Sequence, residues 1–254
     1  NMAEDTITSS LQEMTELLEI HYGQKVIVLI DEYDVPLEKA HENGYYHEMV
    51  LLLRNLFGNV LKTNRSLAFA VLTGCLRIAK ESIFTGLNNF KVYSITNMEF
   101  DETFGFTDAE VREMLQYYEL IDKYEEVKEW YDGYRFGNTE VYCPWDVVNY
   151  CSDHVKYPNA APENYWMNTS GNNVMNRFID SVQQPDMLTK AELGWLVNGE
   201  TVVKKIDETV TYDDLYSTMD HLWSTLFMTG YLTKEKKLMD VIVWRFLTRK
   251  LKIS

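Results

Sequence analysis

Apolar side chains fall at Leu11, Met14, Leu17, Leu18 and Tyr22, and this spacing predicts a helix over 6–22 that ends at Gly23. VIVLI at 26–30 follows as an unbroken, β-branched run. A strand with no polar face is typical of a parallel sheet covered by helices. Residues 47–62, HEMVLLLRNLFGNVLK, return to helical spacing, and LAFAVLTG at 67–74 and FKVYSI at 90–95 predict two further strands. Strands separated by helical segments indicate an α/β sheet.

The pattern changes near residue 105. Thr107 with Glu110 three positions on is a capping box, and it opens a predicted helix over FTDAEVREMLQYYEL. YEEVKEWYDGYRF continues as helix up to Gly133, and HLWSTLFMTGYLT at 221–233 is a strongly apolar helix closed by Gly230. Short helices separated by Asn-, Gly- and Pro-containing turns fill the interval. The expected organisation is an α/β region over 1–105 and a mostly helical region over 106–254. Met219, Leu222, Trp223, Leu226 and Phe227 are expected in the core, and Tyr117, Tyr118, Tyr124, Trp130, Tyr131 and Tyr134 between helices. The tail LMDVIVWRFLTRKLKIS allows an amphipathic helix or a strand.

Charge narrows the function. The 254 residues include 24 Lys plus Arg against 39 Asp plus Glu, a net −15. That balance argues against general nucleic-acid binding, which needs clustered cations on phosphates. Lys190, Lys204, Lys205 and Lys234 sit among Glu192, Glu200, Asp207, Glu208, Asp213 and Asp214, a mixture suited to protein contact. No run reaches the ~18 apolar residues of a membrane span, so no membrane partner is expected. NMAEDTITSS is too acidic and polar for a signal peptide. Three cysteines (75, 143 and 151) with no C-x-x-C fit a reducing compartment, and the five histidines form no zinc-ligand pattern. The expected location is cytoplasmic.

The densest chemistry is Val26-Ile27-Val28-Leu29-Ile30-Asp31-Glu32. Ligands of open α/β sheets bind beyond the C-terminal ends of strands. An Asp there can hold Mg²⁺ directly or through water, and a following Glu can orient or deprotonate an attacking water. This is the hydrophobic-run Asp-Glu pattern of Walker B. Thr73 ends the neighbouring apolar run, at a place suited to sensing a terminal phosphate. Arg77 suits a phosphate contact and a plain ion pair equally. The candidate set is therefore Asp31 for the metal and Glu32, Thr73 and Arg77 for catalysis. Nuclease chemistry would need Glu-x-Lys on a strand, and Glu126-Val127-Lys128 and Glu235-Lys236-Lys237 have that spacing only.

Several blocks in order resemble a predicted AAA-ATPase-like family of bacteria: VIVLIDEYDVPLEKA, FAVLTGCLRIAKESIFTGLNNFKVYSI, EVKEWYDGYRFG, YWMNTSGNN, TYDDL and GYLT. Family members often carry a PD-(D/E)XK nuclease-like domain after the ATPase region. The resemblance covers about residues 10–235. It implies a partial P-loop NTPase-type parallel sheet over 1–105, and a helical lid with a winged-helix-like region over 106–254. It implies ATP and Mg²⁺ as cofactors, Asp31 and Glu32 as the Walker B pair, and Thr73 as first sensor. One element departs from the pattern. None of the twelve glycines is followed by Lys, so G-x-x-x-x-G-K-[ST], the loop that cradles phosphates, is absent. The family places that loop upstream. The expectation is an ATPase-like region with an incomplete nucleotide site. The alternatives are a non-catalytic interaction module and, less favoured by charge, a DNA-associated one. A sheet short of a strand would leave a bare apolar surface that invites a protein partner or a second copy.

Overall fold

The computed structural model describes residues 2–75, 83, 84, 86, 87, 89–166, 191, 192, 194–196, 198–208, 210–212, 218–238 and 241–246. The chain forms two compact units, Asn1–Val92 with Asp207–Thr218, and Tyr93–Ile206 with Met219–Ser254.

The first unit is built on α1 (Met2–Tyr22), β1 (Val26–Ile30), α2 (Val35–Asn43), α3 (Tyr46–Leu61) and β2 (Leu67–Leu72). β1 and β2 run parallel, and α2 and α3 form the long crossover that such a pair requires. The register pairs Ile27 with Phe69, Val28 with Ala70, Leu29 with Val71 and Ile30 with Leu72. One irregularity interrupts it, because Val26 pairs with Leu67, leaving Ala68 as an extra residue in β2. α2 was not predicted. It begins at Val35-Pro36, where a proline's missing N–H costs nothing, and ends on Gly44 at φ 78°. Leu37 and Ala40 of α2 are fully buried, and Val50, Leu53, Phe57, Val60 and Leu61 of α3 are buried at helical spacing.

α1 forms where the spacing predicts it, but of its predicted apolar positions only Leu11 and Leu18 are half-buried. Met14, Leu17 and Tyr22 are exposed, and Ile20 is 81% exposed. Thr8 and Thr15 are buried instead. The Asn59 side-chain amide donates to the Thr8 carbonyl at 2.9 Å, and that of Asn64 to the Thr15 hydroxyl at 2.8 Å. The α1–α3 contact is thus keyed by short polar side chains.

The expected strand over 90–95 is not present. The segment is irregular, and Val92 and Tyr93 are exposed. A local turn replaces pairing: the Ser94 N–H donates to the Asn97 side-chain oxygen at 2.7 Å, and the Asn97 N–H to the Ser94 carbonyl at 3.0 Å. Apolar composition does not make a strand where no neighbouring strand accepts its N–H groups.

The second unit contains α4 (Asp108–Tyr117), a 3₁₀ turn (Ile121–Lys123), α5 (Tyr124–Tyr131), β3 (Tyr134–Phe136), β4 (Thr139–Val141) and α6 (Pro144–Lys156). Then come β5 (Val202–Lys204), α7 (Met219–Met228), β6 (Leu232–Leu238) and β7 (Val241–Phe246). β3 and β4 form a hairpin, and β7 lies between β5 and β6 in an antiparallel sheet. This region therefore holds more strand than its pattern predicts. The tail resolves as strand through Phe246, where VIVW supplies β-branched and aromatic residues. Trp223, Leu226 and Phe227 are buried, as expected, but Tyr117 and Tyr118 are exposed. No helix among the described residues is long and apolar enough to cross a membrane.

The capping box is present. The Glu110 N–H donates to the Thr107 hydroxyl, and the Thr107 N–H to the Glu110 carboxylate at 2.8 Å. Beside it, Asp108 accepts hydrogen bonds from the Tyr124 hydroxyl and from the Tyr142 hydroxyl at 3.0 Å. The Arg112 Nε donates to it at 2.8 Å, and the guanidinium lies 3.5 Å over the Tyr124 ring. One carboxylate thereby ties α4, α5 and the residue after β4 together, around a core of Val111, Leu115, Val127, Val147 and Tyr150.

The Tyr124 hydroxyl first, then Arg112 and Tyr142, hold the Asp108 carboxyl down at about 2. A carboxyl depressed in the folded state adds stability above the unfolded value near 4, and loses it as pH falls through 2. Linkage sets an upper bound of about 2 kcal/mol, and solvent exposure reduces it to about 1 kcal/mol. Asp108→Asn should therefore lower stability by about 1 kcal/mol at pH 7. Urea unfolding across pH should show the gap to wild type narrowing below pH 4; a gap independent of pH would contradict this origin.

Candidate functional site

β1 ends at Ile30 and β2 at Leu72, and their register carries Asp31 and Thr73 out of the sheet side by side. The ladder continues past both ends. The Thr73 N–H donates to the Ile30 carbonyl at 2.9 Å, and the Tyr33 N–H to the Thr73 carbonyl at 3.0 Å. Between them Glu32 takes φ 51°, a left-handed conformation uncommon for a residue with a Cβ. Strand geometry ends there, and the chain turns into α2. Such conformations cost about 1–3 kcal/mol and concentrate at functional sites.

The Asp31 carboxylate is oriented by two donors. The Thr73 hydroxyl and the Glu32 N–H, the latter at 3.0 Å, both donate to its Oδ1. With Oδ1 so engaged, Oδ2 is the oxygen open to a cation or water. Three of the four predicted site residues, Asp31, Glu32 and Thr73, therefore come together. Arg77 lies outside the described residues.

Three neighbours were not foreseen. Asp34 is 2% exposed, and its carbonyl accepts from the N–H groups of Leu37 and Glu38 at the start of α2. Gly74 packs against it. A Cβ on Gly74 would lie 2.6 Å from Asp34 Oδ1 and 2.8 Å from the Tyr33 ring. Cys75 completes the group. Partial burial first, then the carboxylates of Asp34, Glu32 and Glu38, push its thiol up to about 11, although the residue remains solvent-accessible. At neutral pH it is a thiol and no nucleophile. The local signals for this group were Gly directly after Thr73, and Asp-Val-Pro opening a helix.

This donor set fits Mg²⁺, which takes one or two carboxylates and keeps several waters. Among the described residues no group of three or more His, Cys, Asp and Glu side chains is arranged to hold a metal ion by itself. None of the twelve glycines in the sequence is followed by Lys, so these residues are not joined by a Gly-Lys loop of the kind that cradles nucleotide phosphates.

A second polar feature lies in the other unit, a cavity of about 250 Å³ lined by Arg135, Glu140, Lys234 and Glu235. Its cations already serve the backbone: Arg135 Nη1 donates to the Glu235 carbonyl at 2.9 Å, and Lys234 Nζ to the Gly137 carbonyl. Glu126-Val127-Lys128 lies in α5, not on a strand. Glu235-Lys236-Lys237 does lie on β6, with no three-ligand metal cluster among the described residues.

Residues 1–84 match the family described as predicted AAA-ATPase. The chain is also 33% identical over 129 residues to an uncharacterized protein in the vnfD 5' region of Azotobacter chroococcum mcd 1. That stretch covers 50% of this chain and 24% of the relative, so the match spans about a quarter of the relative's length. No solved structure matches the chain.

Two outcomes follow from the packing around Thr73. Gly74→Ala must displace Asp34 or Tyr33, and should cost about 1–3 kcal/mol in thermal or urea unfolding. Alkylation of Cys75 by iodoacetamide, followed by peptide mass spectrometry, should still accelerate above pH 10. Glu32→Gln should move that inflection to lower pH, and Asp31→Asn should leave it in place.

Proposed function

We propose that the AAA-ATPase-like residues 1–84 carry the acidic, water-positioning half of an ATP and Mg²⁺ site, whose phosphate-binding half another segment must supply. The observation that carries this reading is the Thr73 and Glu32 clamp on Asp31 at the ends of two parallel strands. In this reading Asp31 holds Mg²⁺ through Oδ2 and water. When bound, the metal neutralises charge on phosphate oxygens. Thr73 fixes the carboxylate rotamer, so its role is positioning. Glu32 is exposed next to that carboxylate, where it can orient or deprotonate a water. Its left-handed backbone separates it from the strand, so the two adjacent acids need not act on one point. For the whole protein this amounts to an ATPase-like activity. For the chain by itself it means metal binding without tight nucleotide binding.

Mn²⁺ substitutes for Mg²⁺ as a paramagnetic probe. In ¹⁵N spectra it should broaden the amides of residues 31–34 and 73–75 first. Asp31→Asn should abolish that selectivity, and Thr73→Ala should weaken it about tenfold. Calorimetry with Mg-ATP should show no binding tighter than about 100 µM (about −5.5 kcal/mol). Broadening that spreads over the acidic surface and ignores Asp31→Asn would remove the site and favour a non-catalytic interaction module. Tight Mg-ATP binding that depends on Asp31 would show that the site is complete without further help.

A further inference from the structure

The β1–β2 pair has one covered face and one bare face. On the bare face Ile27 is 61% exposed, Leu29 73%, Phe69 61% and Val71 40%. The register sets Ile27 beside Phe69 and Leu29 beside Val71, so the four side chains form one continuous apolar patch. Parallel sheets are covered on both faces, and a two-stranded sheet is marginal alone. Among the described residues nothing covers this face.

The charges at its two ends identify an occupant. Lys25 precedes β1 and Arg65 precedes β2, both exposed. Asp31 and Glu32 follow β1, also exposed. Because the strands are parallel, all the cations named lie at one end of the patch and these two carboxylates at the other. A sheet laid on this face with strands in the same direction would put like charges together. A second copy related by a two-fold axis perpendicular to the strands runs its strands the opposite way, and each acidic end then meets a basic end. We infer that the Ile27, Leu29, Phe69 and Val71 face is the contact between two copies of this chain, packed face to face with strands antiparallel. Such a contact is isologous and closes at two subunits. Aligned sheet packing, about 10 Å apart, suits side chains of these sizes. The net charge of −15 per chain opposes association of two copies in any orientation, and the pairing of oppositely charged ends offsets it locally in this one. Asp31 and Glu32 would then serve at the rim of the contact as well as at the site proposed above, but the inference itself needs no nucleotide.

Sedimentation velocity of the whole 254-residue chain between about 1 and 100 µM tests it, a range in which weak homodimers dissociate. The expected species is a dimer of twice 29.8 kDa. Leu29→Ser with Phe69→Ser should give a monomer with an unchanged circular dichroism spectrum, since both side chains are exposed within one chain. Lys25→Glu with Arg65→Glu should raise Kd at least about tenfold, and adding Asp31→Lys with Glu32→Lys should restore it. If the serine variant fails to fold, the charge variants decide. A wild-type monomer at the highest concentration overturns the inference, as does a dimer that survives the serine pair. Open-ended assemblies, or charge reversal at both ends that fails to restore the dimer, also overturn it. The Mn²⁺ experiment reads the metal site separately, so failure of one leaves the other standing.

Discussion

The parallel register of β1 and β2 is the constraint on which the first unit depends. Four consecutive residue pairs, Ile27–Phe69 through Ile30–Leu72, fix how far each strand reaches. One step further, that alignment sets Thr73 against Asp31. A slip of one residue would reverse the facing of every side chain in one strand and separate the hydroxyl from the carboxylate. The same register gathers Ile27, Leu29, Phe69 and Val71 on one face. A single set of backbone hydrogen bonds thus creates both the polar cluster and the bare apolar patch.

Much of this was legible in the residues. The run VIVLI followed by Asp-Glu, and LAFAVL followed by Thr-Gly, mark two strands and their polar ends. The Thr107–Glu110 capping box was equally plain, because its two reciprocal bonds are local. What could not be read depended on partners distant in sequence. The segment at 90–95 has strand composition but pairs with no strand among the described residues. The buried face of α1 includes Thr8 and Thr15, which Asn59 and Asn64, about fifty residues away, reach at the Thr8 carbonyl and the Thr15 hydroxyl. The crowding of Asp34 and Tyr33 against Gly74 is likewise a product of β1 meeting β2. Arg77 has a sequence rationale only.

The second unit uses a different logic. Around its apolar core, α4, α5 and the residue after β4 share one half-buried carboxylate, Asp108, bonded by Tyr124, Tyr142 and Arg112. The bonds from ionised groups and tyrosine hydroxyls are individually modest. Shared on Asp108 they align three elements at once, and the aromatic rings beneath them fill the core. Tyrosine suits this use because one side chain supplies both the apolar ring and the polar handle.

The extra residue at Ala68 bears on how such a strand can change in length. It lies before the first of the four consecutive pairs, upstream of every side chain that meets Asp31. A bulge stores one residue outside the ladder. Losing Ala68 would regularise the start of β2 and leave Phe69 through Thr73 in place, whereas a deletion anywhere from Ala70 to Leu72 would draw Thr73 out of reach. Single-residue gaps among distant relatives should therefore be tolerated at this one point of the strand and avoided beyond it.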